Sequence, residues 1–235
     1  MPAQIVQEYV VLGKRKETPT VTTLILALPS GEMPSYKAGQ YITVYFRDSS
    51  TPRGKEYSIS SAPFEKTFTI SVKATGEYSN RLCALQYGDS FLGSPPRGTF
   101  YIERDDTDLV MLAAGIGVTP FRSIIFDAVQ RTSSQELYLF YSNPTVQENL
   151  FIREFEMLTK RNERFHLQTY VTRESLTTPV ALVRRITPEK ILRTIHNSGY
   201  SEFLISGTTS FVREQRVGLE TAGFPLSHIY TEVCS

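Results

Sequence analysis

The chain has 235 residues, 40% of them hydrophobic, and can therefore form one large domain or two small ones. Its formal net charge of +1 at pH 7 does not favour binding to nucleic acid. Its two cysteines and three histidines are scattered, which predicts no iron–sulfur cluster and no metal site and favours a reducing, cytoplasmic location. The N-terminus lacks the pattern of a signal peptide, and no apolar run reaches the ~18 residues of a membrane span.

The first hundred residues predict short β-strands separated by turns, with one short helix over residues 77–85. The strand segments are rich in β-branched and aromatic residues, and turn-forming residues separate them. The predicted strands are VTTLILAL (21–28), YITVYF (41–46), EYSISS (56–61) and FTISVKA (68–74). This spacing is typical of a small antiparallel Greek-key β-barrel, which we assign to residues 1–103.

From residue 104 the pattern changes to strands that alternate with helices. The predicted strands are DLVMLAA (108–114), ELYLFYS (136–142), FHLQTYV (165–171), EFLISG (202–207) and HIYTEV (228–233). The predicted helices between them cover residues 119–131, 145–161, 187–195 and 210–223. Such alternation implies a parallel sheet with helices on both faces. We therefore predict a doubly wound, five-stranded α/β domain over residues 104–235.

A turn with little side-chain bulk, from Gly115 to Pro120, joins the first of these strands to a helix. In open parallel sheets ligands bind beyond the carboxyl ends of the strands, where helix N-termini favour anions. Gly115 and Gly117 would let the backbone approach a phosphate, with Thr119 and Pro120 suited to the helix start. The turn lacks the third glycine of the usual dinucleotide fingerprint, and residues 141–143 offer no carboxylate for a ribose. A strand-to-helix turn without a ligand remains an alternative.

The predicted barrel carries a second group of candidate ligand contacts. Tyr57 could stack on a flat heteroaromatic ring while Ser58 bonds its edge, and Lys55, two residues earlier, could reach a phosphate. Ser79 follows a glycine turn at the start of the short helix, where free N–H groups make a second anion site. The alternatives are a half-buried strand aromatic for Tyr57 and a helix cap for Ser79.

In their order and spacing these motifs resemble those of the ferredoxin–NADP reductase superfamily, which comprises flavin-dependent NAD(P)H oxidoreductases. The flavin motif Arg-x-Tyr-Ser of that family matches residues 55–58, and its phosphate motif Gly-x-x-Ser matches residues 76–79. AAGIGVTP (113–120) resembles the turn that holds the nicotinamide-nucleotide pyrophosphate. LISGTTSF (204–211) resembles a Cys-Gly-Pro turn beside the nicotinamide, and TEVCS (231–235) resembles the C-terminal segment near the flavin.

The resemblance implies a bound FAD and NADH or NADPH as substrate. The residues that it implies for cofactor binding are Lys55, Tyr57, Ser58, Val72, Lys73, Ala74, Gly76, Tyr78, Ser79, Gly115, Gly117, Val118, Thr119, Pro120, Ser206, Gly207 and Thr208. The residues that it implies for catalysis are Tyr57, Ser58, Ser206 and Glu232. FAD is favoured over FMN because the helix that contains Ser79 offers a site for a diphosphate.

Four positions depart from the family pattern. Lys55 replaces an arginine and so supplies a point charge instead of a planar fork. Ser206 and Thr208 replace the cysteine and the proline of the nicotinamide turn, and Cys234 replaces an aromatic residue. The missing aromatic ring would leave the flavin easier for a nicotinamide or a second flavin to reach.

The segment YSNPTVQENLF (141–151) contains no arginine or lysine for a 2′-phosphate, which favours NADH. In similar sequences the pattern Asn-x-Thr-x-x-Glu-(Asp/Asn)-Leu, matched here by residues 143–150, accompanies NADH. Arg153 and Arg173 leave NADPH as an alternative.

The resulting functional hypothesis is an FAD-dependent reductase that passes electrons from NAD(P)H to a separate carrier such as ferredoxin or flavodoxin. A separate carrier is expected because this chain contains no ferredoxin-type cysteine cluster. Two alternatives are an NAD(P)H:flavin reductase, for which flavin is a substrate, and an electron-transfer subunit of a multicomponent oxygenase. No nucleic acid and no membrane partner is expected.

Overall fold

The strand-forming segments of the two halves build two different sheets. The computed structural model describes residues 6–46, 48, 53–101, 104, 106–131, 134–173, 182–183, 185–195 and 201–234. Two compact units are present, one formed by residues 1–101 with 122–127 and the other by residues 102–121 with 128–235. Residue 103, where the domain boundary is predicted, lies outside the described residues, and the division into a flavin domain (1–103) and a nucleotide domain (104–235) stays a prediction.

In the first unit, six strands pair antiparallel in the order β4-β3-β6-β1-β2-β5. The strands are β1 (Gln7–Lys16), β2 (Val21–Ala27), β3 (Tyr41–Tyr45), β4 (Lys55–Ser58), β5 (Phe68–Lys73) and β6 (Ser90–Gly93), and helix α1 (Glu77–Ala84) lies between β5 and β6. A bridge between Ile59 and Ile70 brings the ends of β4 and β5 together. The predicted antiparallel barrel is confirmed.

Strand β1 was not predicted from the sequence. A register shift between Val11 and Gly13 interrupts its pairing with β2, and its last three residues, Lys14 to Lys16, are exposed. The apolar pattern is therefore too short to predict a strand, although Tyr9 and Val11 are fully buried in the barrel core.

The second unit contains a parallel sheet in the order β10-β9-β8-β7-β11-β12. Its elements are β7 (Asp108–Ala114), α2 (Thr119–Gln130), β8 (Leu137–Asn143), α3 (Ile152–Thr159), β9 (Phe165–Val171), β10 (Leu182–Val183), α4 (Pro188–Thr194), β11 (Ser201–Gly207), α5 (Thr209–Thr221) and β12 (Ile229–Val233). The five predicted strands are confirmed, and the two-residue strand β10 extends the sheet at one edge. Among the described residues, no helix combines the length and the apolar run needed to cross a bilayer.

The helix predicted over residues 145–161 is wrong in its first half. Helix α3 begins only at Ile152, after Phe151, whose φ of 59° lies in the left-handed region. Upstream of it, the buried Asn143 donates from Nδ2 to Oδ1 of Asn149 at 2.8 Å, and the Leu150 N–H donates to the Tyr141 hydroxyl at 3.0 Å. These side-chain contacts satisfy polar groups in a loop, so a longer helix is not needed there.

Candidate functional site

Tyr57 occupies the third position of strand β4, half-buried against the barrel core. It lies opposite the fully buried Ile42 of β3 and packs against the cluster that contains Val72 and Tyr78. Burial, with smaller contributions from neighbouring Cys83 and Tyr78, raises the pKa of the Tyr57 hydroxyl. The ring is therefore uncharged at neutral pH and presents an apolar face at the edge of the core.

The neighbouring motif residues occupy different environments. Ser58 follows Tyr57 and is buried, whereas Lys55 is exposed at the beginning of β4. Because side chains alternate along a strand, Lys55 shares its face of the strand with Tyr57 and Ser58 lies on the other face. The Ser60 N–H donates to the Thr69 carbonyl at 2.8 Å, so the flavin-motif strand runs next to β5.

Strand β5 leads through Lys73 and Ala74 into helix α1. Gly76 is the residue before this helix and has an extended backbone, and no atom lies within 4 Å of the position that a Cβ would take there. The Ser79 hydroxyl accepts hydrogen bonds from the N–H groups of Thr75 and Gly76, both at 2.9 Å, and donates to the Gly76 carbonyl at 3.0 Å. Ser79 thus caps the helix, as in the alternative interpretation, and Gly76 leaves the backbone at the helix start accessible.

At the carboxyl end of β7, residues Gly115 to Val118 form one tight helical turn that leads directly into α2. The Thr119 hydroxyl donates to the Ile116 carbonyl at 2.8 Å, so this side chain closes the turn. Thr119 and Pro120 are both buried. The Thr119 N–H already donates to the Ile116 carbonyl, so the N–H groups without an intrahelical acceptor belong to the turn itself. The dipole of the helix that follows favours an anion at this end.

The two glycines of this turn have different roles. At Gly117, a Cβ would lie 2.4 Å from the Ser206 carbonyl oxygen and 2.7 Å from the Gly207 nitrogen, so packing against β11 requires a glycine. Gly115 has a φ of 58° and no atom within 4 Å of a would-be Cβ. Both glycines were predicted to leave space for a ligand, but only Gly115 borders open space.

Strands β11 and β12 end beside this turn. Ser206 pairs with Ala113 of β7 on one side and with Glu232 of β12 on the other. Thr208 follows Gly207 and accepts a hydrogen bond at Oγ1 from the Phe211 N–H at the start of α5. The predicted residues of the second unit are therefore brought to one edge of the sheet.

Cys234 contacts the predicted nicotinamide turn directly. Its N–H donates to the Gly207 carbonyl at 2.8 Å, and its Sγ lies 3.4 Å from the Ser206 hydroxyl oxygen. Burial raises the pKa of the Cys234 thiol to about 11; the Ser206 hydrogen bond opposes this shift and the Glu232 carboxyl adds to it. At neutral pH the site thus contains a neutral thiol beside a hydroxyl.

The loop after β8 contains Glu148, the glutamate of the sequence pattern associated with NADH. Glu148 lies in a short turn of residues 146–148 and accepts a hydrogen bond from the Thr145 hydroxyl at 3.2 Å. No role in ribose binding was assigned to this carboxylate from the sequence, because residues 145–161 were predicted as one continuous helix.

Comparison with known protein families matches residues 111–216 to the oxidoreductase NAD-binding domain. A flavohemoprotein of Bacillus subtilis is 30% identical over 159 residues, which cover 66% of this chain and 40% of that protein. The chain spans less than two thirds of the length of this flavohemoprotein and of the one matched from Bacillus cereus.

Solved structures share the two-unit architecture. The FAD/NAD-binding domain of the nitric oxide dioxygenase from Vibrio cholerae has a TM-score of 0.83 at 25% identity, covering 97% of this chain and 98% of that one. A ferredoxin NADP+ reductase from Neisseria gonorrhoeae, with bound FAD and NADP, has a TM-score of 0.81 at 24% identity over 97% and 98% of the two chains. The second match supports the fold alone.

The two glycines are expected to respond differently to alanine. Gly117→Ala forces the turn away from β11 and costs about 1–3 kcal/mol of unfolding free energy, as other overpacked sites do. Gly115→Ala meets no neighbouring atom and costs about 1 kcal/mol for the left-handed backbone. Chemical denaturation of both variants measures the difference, and a smaller effect at Gly117 than at Gly115 would contradict the packing role.

Cys234 is expected to react slowly with iodoacetamide, because only the thiolate is nucleophilic. With its pKa raised to about 11, alkylation at pH 8 is about 100-fold slower than for free cysteine and accelerates as the pH rises toward 11. Ser206→Ala removes the hydrogen bond that lowers the pKa and slows alkylation further. Mass spectrometry of the Cys234 peptide measures both rates, and labelling as fast as for free cysteine would contradict the burial of the thiol.

Proposed function

Because the chain belongs to the ferredoxin–NADP reductase superfamily of oxidoreductases, we propose that it binds FAD in its first unit and NAD(P)H in its second. We further propose that it transfers a hydride from NAD(P)H to FAD and passes electrons to a separate carrier protein, such as ferredoxin or flavodoxin. The observation that carries this proposal is the pair of strand–glycine–helix sites, at Gly76 and at Gly115, where the backbone before a helix borders open space.

The residues of the first unit fit a flavin dinucleotide. Tyr57 provides an uncharged aromatic face at the edge of the core, and the start of α1 provides N–H groups for a diphosphate. Val72, Lys73 and Ala74 lead into that helix; Val72 is buried in the barrel core, whereas Lys73 and Ala74 are partly exposed. Lys55 supplies a positive charge for a phosphate oxygen, without the bidentate geometry of an arginine.

The residues of the second unit fit a nicotinamide nucleotide. Gly115 lets the pyrophosphate approach the start of α2, where the helix dipole favours an anion. Val118, Thr119 and Pro120 fix the position of that helix start, and Gly117 holds it against β11. Ser206, Gly207 and Thr208 are proposed to border the nicotinamide ring.

Bound FAD would supply the chemistry, because a flavin accepts a hydride and releases its electrons one or two at a time. The protein contributes binding, orientation and hydrogen bonding. Ser58 is the proposed polar group nearest the reactive edge of the flavin, and Glu232 is proposed to hold or pass a proton. Burial keeps the Cys234 thiol protonated. The thiol is therefore proposed to act beside Ser206 as a hydrogen-bonding and packing group and not as a nucleophile.

The identity of the electron acceptor is inferred from the proteins that this chain resembles. The matched relatives include flavohemoproteins, and the structural neighbours include a cytochrome P450 reductase, so proteins of this fold serve different acceptors. An NAD(P)H:flavin reductase is the second candidate, because Cys234 replaces the aromatic residue of the family pattern. A cytoplasmic location stays a prediction.

Tyr57→Ala and Ser58→Ala are expected to impair the flavin site differently. Loss of the ring removes the stacking surface and weakens FAD binding by about 1–3 kcal/mol, whereas loss of the hydroxyl mainly slows flavin reduction. The measurements are the ratio of visible to ultraviolet absorbance after gel filtration and anaerobic reduction by NADH. Tyr87→Ala, at an exposed tyrosine of the same unit, is the matched control. Wild-type FAD content and reduction rate in both site variants would contradict the proposed site.

NADH is expected to be preferred over NADPH because of Glu148. A carboxylate accepts hydrogen bonds from ribose hydroxyls and repels a 2′-phosphate. Glu148→Gln keeps the shape of the side chain and is expected to raise kcat/KM for NADPH about 10-fold, with a smaller change for NADH. Glu154→Gln, at a nearby carboxylate on α3, serves as the control. Equal changes for the two coenzymes would exclude Glu148 as the discriminating group.

A further inference from the structure

The first turn of helix α2 makes a buried polar contact that the proposed cofactor sites do not use. The Arg122 guanidinium donates to both carboxylate oxygens of Glu65, at 2.8 and 3.0 Å. One of its nitrogens also donates to the Ser60 carbonyl at 2.8 Å. Arg122 is only 9% exposed, so these bonds are largely shielded from water.

A neighbouring residue of the helix extends this contact. The Ser123 hydroxyl donates to the Ser61 carbonyl at 2.6 Å, and the same carbonyl accepts a bond from the Tyr36 hydroxyl at 3.0 Å. Glu65 accepts a further bond from the Ala62 N–H at 2.6 Å. Residues 122–127 belong to the same compact unit as the barrel. We refer to Arg122, Ser123, Glu65 and the carbonyls of residues 60 and 61 as the α2 clamp.

The chemistry of the clamp is suited to fixing geometry more than to adding stability. Burial by itself would raise the pKa of Glu65, but the bonds from Arg122 and the Ala62 N–H outweigh it and lower that pKa, so the pair is ionised. A buried ion pair contributes little net stability relative to apolar groups of the same size, because both charges lose hydration. A bidentate arginine–carboxylate pair does impose a defined direction on both partners.

The clamp lies next to the proposed flavin motif in the chain. Ser60 lies two residues after Ser58 of that motif. The Ser60 carbonyl that accepts the Arg122 hydrogen bond therefore belongs to the backbone that carries Ser58.

We propose that Arg122 is a positioning residue for flavin reduction: through the Ser60 carbonyl and Glu65 it fixes the backbone that follows the proposed flavin strand and carries Ser58. Arg122 acts through this backbone and does not itself touch a cofactor. The inference rests on the proposed function of the two sites. Orientation errors of about 1 Å at a reacting centre can slow a reaction about 100-fold.

The test compares Arg122→Lys, which keeps the charge but loses the fork, and the milder Ser123→Ala with the wild-type holoprotein. Arg122→Lys is expected to slow anaerobic flavin reduction at saturating NADH about 10- to 100-fold, with FAD content and the NADH dissociation constant nearly unchanged. The deuterium isotope effect with 4-deuterated NADH is expected to increase, because the hydride step becomes limiting. Ser123→Ala is expected to show a smaller decrease in the same direction.

A second readout needs no cofactor. Amide hydrogen exchange at residues 59–62 of the cofactor-free chain is expected to accelerate in Arg122→Lys, because the backbone after the proposed flavin strand is held less firmly. Unchanged exchange there, together with an unchanged reduction rate, would overturn the proposal.

Two control variants separate positioning from general stability. Glu220→Gln removes the carboxylate of the Arg216–Glu220 pair, which has the same 2.8 Å distance but lies on the surface of α5, and it is expected to leave the rate unchanged. Ile191→Ala creates a cavity in the core of the second unit and lowers the melting temperature without touching the clamp.

An equal slowing in Ile191→Ala, or loss of FAD from both clamp variants, would assign the clamp to folding and overturn the proposal. A wild-type protein that binds no FAD, or whose FAD is not reduced by NADH, would instead contradict the proposed function. The two failures are therefore distinguishable.

Discussion

The close approach of the glycine turn to strand β11 determines the geometry of the second unit's site. A Cβ at Gly117 would lie 2.4 Å from the Ser206 carbonyl oxygen, so only a chain without a side chain at this position can bring the turn so close. Since β7 and β11 are parallel neighbours, the turn after each strand emerges at the same edge of the sheet. The helix start of α2, the Ser206–Thr208 turn and the C-terminal strand meet there as a consequence.

The same arrangement of a strand, a glycine and a helix is found in both units. A strand ends, a glycine exposes its backbone to open space, and a helix follows whose first N–H groups favour an anion. At Gly76 the helix start is capped by Ser79, and at Gly115 the turn is closed by Thr119. The hydroxyl side chains organise the backbone at both sites, and the proposed phosphate contacts are made by the backbone itself.

Three of the four departures from the family pattern, at Ser206, Thr208 and Cys234, lie in the second unit. Where the family turn has a cysteine, this chain has Ser206. Among the described residues, Cys234 lies beside it, with its Sγ 3.4 Å from the Ser206 hydroxyl oxygen. The raised pKa of this thiol keeps the pair neutral. This edge of the sheet therefore carries small polar groups at the position of the aromatic residue of the family pattern.

The sequence by itself determined the two kinds of sheet, because alternating β-branched segments and strand–helix repeats are local patterns that the chain carries in each half. It also located the glycine turns and the Tyr57-Ser58 pair. It did not determine strand β1, whose bulge and charged end mask its pattern, or the loop before α3, where buried contacts of Asn143 and Tyr141 replace a helix. Only the tertiary structure decided which glycine packs and which borders open space, and that Arg122 pairs with Glu65. Both depend on residues more than 50 positions apart in sequence, and no local pattern records what will lie beside a residue after folding.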